Sequence, residues 1–485
     1  MEATCIPNLS MEATCAHNIL SFGGLGINFG TKAANREKIH GDMDSWMDEV
    51  KMAGGAGLGG IVNEVFKKRQ ELIGKIVEQL IKEKFSDELN REILVCPNCG
   101  RVLNRRDMHE RTVQTMIGEI TLRRPYFYCE NCKEGFHPLD AVLILSDSVK
   151  QWDMQEAGAS VAAELPYNKA QELFEELTGL SMSDHTMHDT VGNICEEADI
   201  LDIAPSAEEI EEKVKNVGEG KTWRPIMVLT IDGALVPTRP EDAKGKGKGR
   251  KKERAKRAKW NGEWREAKGF RFYLVDGDRI EHVLCWHQVQ SSEELKECLR
   301  KIKEAGLIPE RDIRLCAVGD GARWIWKAIK EIFPDATQVL DYYHASEYIY
   351  DAAEGIYDNS EEVQEWAEAM VTRLFVGEIE EVINDLKQAN ATKEEARSTI
   401  DRLLGYLLEN KGRMHYKHAR KGGYPIGSGG IESSNKTVCH IRLKRSGAWW
   451  YKEKANQMLA LRCAKYNGTF PRLFRQYMER QKKDT

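Results

Sequence analysis

Two CxxC pairs are the feature that most constrains the fold of this 485-residue chain. Between the pairs lie 29 residues, which alternate apolar and polar side chains on either side of a hairpin turn expected at Gly118-Glu119. Pairs with this spacing, on tight turns, place four thiolates tetrahedrally around zinc. The sequence therefore predicts a zinc ribbon over residues 91–148 with a closed, structural Zn²⁺ site, which leaves no position for a substrate. Its ligands would be Cys96, Cys99, Cys129 and Cys132.

Charge is distributed unevenly along the chain, although the net charge is only −6. Lys244–Lys259 carries ten basic residues against one acid, and Lys411–Thr485 carries eighteen against four. Such basic segments on an otherwise acidic chain favour a localised surface for a polyanion, with nucleic acid as the leading partner. A solvated charged face is the alternative for either segment alone.

The remaining composition indicates a cytoplasmic protein that does not enter membranes. No stretch approaches the ~18–20 apolar residues that a membrane-spanning helix needs. Twelve cysteines are under 3% of the chain, which fits reduced thiols and a metal site better than disulfides.

Two helical regions are predicted before the central domain. Residues 1–90 form the first, in which the spacing of apolar residues from Ile61 to Phe85 predicts an amphipathic helix. This helix would pack on its own domain or pair with a second subunit. Residues 149–220 form the second, with helices over Trp152–Glu164, Tyr167–Thr178 and Ser183–Asp199 and a turn at Gly179.

The second region resembles a helix-turn-helix, in which the third helix would enter the major groove of DNA. Plain packing of a helical hairpin is the alternative. The residues near the start of that helix are His185, Thr186, His188 and Asp189.

Residues 221–343 predict an α/β sheet of the RNase H-like type. Antiparallel strands are followed by parallel strands with crossover helices, and acids stand where strands end, at Asp232, Asp320 and Asp341. The predicted strands are Ile226–Ile231, Phe270–Val275, Ile280–Trp286, Ile313–Val318 and Thr337–Leu340, and the predicted helices are Ser291–Ala305 and Ala322–Ile332.

A helical insertion over residues 344–421 follows, and a Gly-rich turn then leads into a helix that carries Glu432 in residues 422–485. If that helix packs against the first strand, Glu432 meets Asp232 and Asp320. Three adjacent carboxylates repel one another, so the arrangement suits two divalent cations, Mg²⁺ or Mn²⁺. The fold class is thus a multidomain α/β protein with an all-α insertion in its catalytic domain.

The order of these acids resembles that of DDE transposases, and the residues around them look specifically like insertion-sequence transposases of the bacterial ISKra group, relatives of the Mutator type. The resemblance covers about residues 93–470. It implies an enzyme that binds the ends of its own insertion sequence and catalyses phosphodiester cleavage and strand transfer. The motifs that carry it are Asp232-Gly233, Gly319-Asp320-Gly-Ala, Asp341-Tyr-Tyr-His344, Tyr424-Pro-Ile-Gly-Ser-Gly and Arg442-Leu-Lys-Arg-Ser-Gly447.

By this resemblance Asp232, Asp320 and Glu432 are the ligands of the two metal ions. His344 either contacts the scissile phosphate or orients the site. Some DDE families carry a basic residue seven positions after the Glu, but this chain has Cys439 there. The phosphate contact would then fall to Lys436 or Arg442.

Double-stranded DNA, both terminal inverted repeats and target, is the expected partner, and pairing two ends implies a homodimer or larger assembly. One aromatic side chain among Trp449, Trp450 and Tyr451 would stack on a flipped base, and the alternative is that two of the three fill the core. The residues expected to contact DNA are Lys244, Lys246, Lys248, Arg250, Lys251, Lys252 and Arg254 in a loop after the first strand, and Lys436, Arg442, Lys444 and Arg445 after the Glu.

Two other classes share these features. One is a non-mobile RNase H-like nuclease or recombinase, and the other is a domesticated, transposase-derived DNA-binding protein. The presence of all three acids favours an enzyme, and inverted repeats bracketing the gene would identify a mobile element. We expect such an enzyme in the bacterial cytoplasm, associated with the nucleoid.

Overall fold

The computed structural model describes residues 29–53, 57–240, 262–388 and 394–483. By its backbone contacts the chain divides into two units, one built from Met1–Val113 and Ile117–Leu143 and the other from Gln114–Met116 and Ile144–Thr485. None of the described helices has the length and apolar character needed to cross a lipid bilayer.

The first unit joins long helices to short antiparallel strands. Strands β1 and β2 form a hairpin, and β4 lies between β3 and β5 in a second sheet. The elements are α1 (Phe29–Ala53), α2 (Leu58–Lys84), α3 (Ser86–Leu89), β1 (Ile93–Val95), β2 (Val102–Asn104), β3 (Asp107–Thr115), β4 (Gly118–Cys129), β5 (Glu134–Phe136) and α4 (Pro138–Val142).

Helix α2, the predicted amphipathic helix, packs against β4 in this unit. The turn between β3 and β4 lies at Met116-Ile117. The predicted position of this turn, Gly118-Glu119, was wrong by two residues. Gly118 instead begins β4 with a φ of 130°, where a Cβ would lie 2.7 Å from the carbonyl oxygen of Gln70. Both the positive φ next to the turn and the close approach of the Gln70 carbonyl require a glycine at this position.

The second unit begins with helices and continues into the larger sheet. The helices are α5 (Trp152–Glu164), α6 (Tyr167–Thr178), α7 (Asp184–Ile194), α8 (Ile200–Ile203) and α9 (Ala207–Gly218). The sheet and its crossover helices are β6 (Ile226–Thr238), β7 (Glu263–Asp276), β8 (Arg279–Val289), α10 (Ser292–Glu304), β9 (Arg314–Gly319), α11 (Arg323–Ile332) and β10 (Thr337–Leu340).

Helices then continue to the end of the described chain. They are α12 (Tyr342–Ile356), α13 (Ser360–Val376), α14 (Ile379–Gln388), α15 (Glu394–Asn410), α16 (Tyr416–Lys421), α17 (Gly429–Ser434), α18 (Ile441–Leu443), α19 (Lys452–Asn467) and α20 (Phe470–Lys483). A 3₁₀ turn covers Lys411–Arg413, and a π-helical segment, Asn435–His440, joins α17 to α18.

The strands of the larger sheet lie in the order β10-β9-β6-β7-β8. Strand β6 pairs antiparallel with β7 and parallel with β9, and β9 pairs parallel with β10. This is the predicted order of antiparallel strands followed by parallel strands. Capping residues set several helix boundaries. At the start of α10, for example, the Ser291 hydroxyl accepts a hydrogen bond from the Glu294 N–H, and the Ser291 N–H donates to the Glu294 carboxylate.

Strand β6 is longer than predicted. It does not end at Asp232 but continues to Thr238, because the antiparallel ladder with β7 runs on to Thr238 and Glu263. The parallel ladder with β9 stops earlier, at Thr230 and Val318. The Asp-Gly turn signal at Asp232-Gly233 was therefore misleading for the strand, although it marks the point where β9 ends.

Buried apolar side chains form a continuous core that runs from Met154 in α5 to Tyr477 in α20. The helices of residues 149–220 thus share a core with the sheet. Helix α5 has the predicted bounds, as does α6, whereas α7 begins after the N-cap Ser183 and ends at Ile194, five residues before the predicted end.

Arg462 on α19 anchors the π-helical segment to this core. Its Nε donates to the Val438 carbonyl at 2.9 Å, and its Nη atoms donate to the carbonyls of Thr437 and Ala163 and, at 3.0 Å, to the Glu164 carboxylate. Carbonyl groups in a π-helix follow an irregular bonding pattern, and this buried guanidinium supplies donors to two of them.

Arg462→Met should lower the free energy of unfolding by about 2–4 kcal/mol, because buried carbonyls lose a charged donor that methionine cannot replace. Urea denaturation followed by circular dichroism would measure the loss. Arg475→Met, at an exposed position on α20, is the matched control and should change stability by no more than about 0.5 kcal/mol. Equal stability of the two variants would contradict the anchoring role of Arg462.

Candidate metal centres

Acids that follow adjacent strands are aligned in register across the larger sheet. Thr230 pairs with Val318 and Leu340 pairs with Gly319, so continuing both registers aligns Asp232, Asp320 and Asp341 beyond the parallel ladders. Neighbouring strands are about 4.8 Å apart. The sheet therefore brings the predicted strand-end carboxylates to one edge.

The Asp341 carboxylate is buried and joins three segments of the chain. Its Oδ1 accepts the backbone N–H groups of Tyr343 (2.7 Å) and His344 (3.1 Å) at the start of α12, and its Oδ2 accepts that of Ser428 at 2.5 Å. Ser428 directly precedes α17, which carries Glu432. Asp341 thus fixes the position of the Glu432 helix relative to the end of β10.

Glu432 lies with Asp341 and His344, whose ligand atoms are within 4.8 Å of one another. Asp232 and Asp320 belong to no such group of three among the described residues. The structure groups Glu432 with Asp341 and His344, and the meeting of Glu432 with Asp232 and Asp320 stays a prediction. Glu432 is exposed, with a long 3.4 Å contact from Ser428 Oγ.

The Asp232 carboxylate is held in a place where its charge is unfavourable. Burial raises its pKa above the usual range, and the neighbouring Asp320 raises it further, against the opposing effects of the Gly233 N–H and of His344. Hard oxygen ligands that repel one another at a half-buried edge suit a divalent cation. The residues present therefore fit the predicted magnesium site.

His344 lies between these acids and is half-buried. Burial alone would lower its pKa, but the carboxylates of Asp341 and Glu347 outweigh it and hold the pKa above the usual value. Its Nδ1 is 3.2 Å from Glu347. The raised pKa favours the cationic form of His344, which is the form that would contact an anion at this edge.

Asn435 and His287 are site residues that the sequence reasoning missed. Asn435 donates from Nδ2 to Asp232 Oδ2 at 2.7 Å, and its Oδ1 lies 2.9 Å from His287 Nε2. Asn435 follows Glu432 by three residues, so helical spacing was a signal that could have found it. Nothing in the linear sequence connects His287, on β8, to the acids.

The basic residues after Glu432 differ in their surroundings. Lys436, Lys444 and Arg445 are exposed, as a contact with DNA requires. Arg442 is 2% exposed, donates to the Ala162 carbonyl at 2.9 Å, and lies over the Tyr167 ring. The prediction that Arg442 contacts DNA is wrong, because its guanidinium is packed inside the protein.

The predicted basic loop lies outside the described residues. The loop residues concerned are Lys244, Lys246, Lys248, Arg250, Lys251, Lys252 and Arg254.

The aromatic segment after Arg445 pairs with the end of β6. Trp450 is buried and exchanges backbone hydrogen bonds with Pro237 and Arg239. Trp449 and Tyr451 are half-buried. Of the two aromatic side chains that the alternative places in the core, the structure buries only Trp450.

The four cysteines of the two CxxC pairs converge in the first unit. Cys96 and Cys132 are 3.9 Å apart at sulfur, and Cys99 and Cys129 are 3.6 Å apart. Thiolates on a tetrahedral zinc with Zn–S of about 2.3 Å would lie roughly 3.8 Å apart. A hydrogen bond from the Arg101 backbone is the main cause that lowers the pKa of Cys99 to about 6. The geometry and donor set are those of a Cys₄ metal site compatible with structural zinc.

Both cysteine pairs lie on tight turns. The Gly100 N–H bonds to the Cys96 carbonyl at 2.9 Å, and the Lys133 N–H bonds to the Cys129 carbonyl at 2.8 Å. Gly100 and Lys133, each one residue after its pair, have φ of 73° and 59°. The equivalent turns bring the two pairs of sulfur atoms together.

Asp232→Asn should stabilise the protein in EDTA at pH 7. Because the pKa of Asp232 is higher in the folded state, the folded protein loses stability as the pH rises from the ordinary aspartate pKa through the folded value. Removing the charge should raise the unfolding temperature by about 1–3 °C at pH 7, and the difference should vanish below about pH 3.9. Differential scanning fluorimetry across this range measures it.

The control for that experiment is Asp335→Asn, an exposed turn residue at the other end of β10. It should show no comparable pH-dependent difference. A lower unfolding temperature for Asp232→Asn at pH 7 would contradict the electrostatic account of the site.

Cys99→Ser should reduce the zinc content by one ion per chain and unfold the ribbon locally, because assembly of such a site and folding are coupled. Elemental analysis of protein purified without chelator measures the metal, and limited proteolysis locates the unfolding. Cys298→Ser, a half-buried cysteine outside the cluster, is the control and should keep the wild-type zinc content. Unchanged zinc in Cys99→Ser would remove the basis for this site.

Comparison with known proteins places the chain in one family. No curated protein matches it in a sequence search. The sequence profile of the uncharacterised protein family UPF0236 matches residues 57–482, which span both the cysteine cluster and the acidic edge of the sheet. Since the match covers most of the chain, the protein belongs to the uncharacterised protein family UPF0236.

Proposed function

We propose that this protein is a DNA transposase of the DDE type, which binds the ends of its own insertion sequence and catalyses their cleavage and strand transfer. The observation that carries the proposal is the alignment of Asp232 and Asp320 across β6 and β9, with Glu432 brought to the same edge by α17. In this proposal the larger sheet is an RNase H-like core, α12–α16 are its helical insertion, and the cysteine cluster belongs to a zinc ribbon.

Asp232, Asp320 and Glu432 would hold two Mg²⁺ ions. When bound, such ions activate a water or a 3′-hydroxyl and stabilise the leaving oxygen of a phosphodiester. The raised pKa of Asp232 and its proximity to Asp320 support this assignment, because a cation relieves the repulsion. Glu432 is exposed and loosely bonded, so its carboxylate can turn toward a shared ion.

The other residues of the edge would position the reacting groups. Asn435 donates a hydrogen bond to Oδ2 of Asp232. The other carboxylate oxygen, Oδ1, accepts the Gly233 N–H. Asp341 is 1% exposed and its carboxylate accepts three backbone N–H groups, so it would support the site and not act as a further ligand. His344, with its raised pKa, would contact the scissile phosphate.

Double-stranded DNA would lie along the exposed Lys436, Lys444 and Arg445 that follow the Glu432 helix. The start of α7 would enter the major groove with its exposed or half-exposed residues His185, His188 and Asp189. The opposite face of α7 packs in the core. Two bound ends require at least two protomers. Exposed apolar side chains on α1 and α2, including Met47 and Val62, support a homodimer through this helical pair.

Asp232→Asn, Asp320→Asn and Glu432→Gln should each reduce Mg²⁺-dependent cleavage by at least about 100-fold, the loss typical of removing one preorganised electrostatic group. Each variant should still bind DNA, since the proposed DNA contacts lie on other residues. The assay is cleavage of a labelled duplex copied from the inverted repeat expected beside the gene, with a mobility-shift measurement on the same duplex.

Asp335→Asn and Glu365→Gln, both exposed and away from the acidic edge, are the matched controls and should cleave normally. Near-normal cleavage by Glu432→Gln would show that the third ligand is misassigned. Near-normal cleavage by either aspartate variant would overturn the DDE proposal itself.

A further inference from the structure

Besides the four cysteines of the CxxC pairs, three buried side chains that can ligate a metal converge next to Asn435, which donates a hydrogen bond to Asp232. Cys285 and His287 alternate on β8, so their side chains lie on one face of the strand, and Cys463 reaches them from α19. All three have no measurable exposure, and their ligand atoms lie within 4.8 Å of one another. Neither the acidic edge nor the proposed DNA contacts use these groups directly.

The hydrogen bonds of Asn435 fix the tautomer of His287. An ionised Asp232 can only accept, so the side-chain amide of Asn435 donates to it and turns its Oδ1 toward His287 Nε2, 2.9 Å away. That Nε2 must therefore carry the ring proton. In the neutral ring the other nitrogen, Nδ1, then carries a free lone pair.

His287 Nδ1 is buried and accepts no hydrogen bond of ordinary geometry from the described residues; the Cys463 thiol is the side chain that interacts with the imidazole. Leaving such an acceptor unsatisfied costs about 1–3 kcal/mol, which a buried apolar residue would avoid. The chain also makes room for this ring: Gly269 lies beside it, and a Cβ there would come within 2.2 Å of the imidazole. A buried lone pair next to two thiols is the arrangement of a metal ligand.

We propose that Cys285, His287 and Cys463 bind a second structural zinc ion, in the core of the larger unit. Two thiolates and an imidazole are ligands that zinc prefers, at about 2.3 Å from sulfur and 2.0–2.1 Å from nitrogen. Ligand atoms on such a site lie roughly 3.6–3.8 Å apart, so the present cluster, whose ligand atoms lie within 4.8 Å of one another, needs to contract by about 1.2 Å at most. Cys439, buried on the π-helical segment, is the candidate to complete the set.

The hydrogen bonding around His287 matches that of metal-bound histidines. Such a histidine donates its second ring N–H to a carbonyl or carboxylate, which fixes the ring and strengthens its bond to the metal. Here the second N–H reaches the Asn435 amide oxygen, and Asn435 in turn holds Asp232. A zinc ion at this place would rigidify the support of Asp232 without touching the reacting groups.

The test is the zinc content of the full-length protein purified without chelator, measured by plasma mass spectrometry per chain. Wild type should contain two zinc ions. Cys99→Ser, which leaves every proposed ligand intact, should contain one, Cys463→Ser should contain one, and the Cys99→Ser/Cys463→Ser double variant should contain none. Cys298→Ser is the control and should keep both ions.

One zinc ion in wild type and none in Cys99→Ser would overturn the proposal, and this comparison holds even if Cys463→Ser fails to fold. Retention of two ions by Cys463→Ser would overturn it as well. The readout is independent of DNA cleavage, so loss of the transposase proposal would leave this result unaffected.

Discussion

The structure of the acidic edge depends on the buried carboxylate of Asp341. It stands at the end of β10 and accepts backbone N–H groups from the start of α12 and from Ser428. The helical insertion between these points, residues 344–421, is 78 residues long, yet its two ends meet on a single side chain. Because the carboxylate is buried, its hydrogen bonds are stronger than they would be in water. The insertion can therefore vary in internal packing while its ends, and the Glu432 helix with them, stay in place.

The sequence predicted those features that arise from local signals. The strand order, the helices around it and the convergence of the cysteine pairs follow from apolar runs, turn residues and spacing within short segments. The acids at strand ends were found for the same reason, since the carboxyl ends of parallel strands share one edge. Even the wrong strand end at Asp232 contained a correct element, because the parallel ladder to β9 stops two residues earlier, at Thr230.

The features that were missed depend on contacts between distant segments. Arg442 follows the Glu in a basic stretch, and only the fold shows that its guanidinium turns inward to the α5 carbonyl of Ala162. Asn435 and His287 are 148 positions apart, and their pairing requires the π-helical segment to lie over β8. The π-helix itself has no sequence signature, because it forms where tertiary contacts such as those of Arg462 stabilise an irregular turn. Burial and long-range pairing thus determine the roles of these residues, which spacing along the sequence does not reveal.

The extension of β6 and β7 beyond the acids sets a distance along any bound duplex. From Asp232 to Thr238 the strand advances six residues, or about 20 Å at 3.3 Å per residue. B-form DNA rises 3.4 Å per base pair, so 20 Å corresponds to about six base pairs. If the carboxylates hold the bond to be cut, as proposed, this hairpin would act as a ruler whose far end lies about half a helical turn of duplex from that bond.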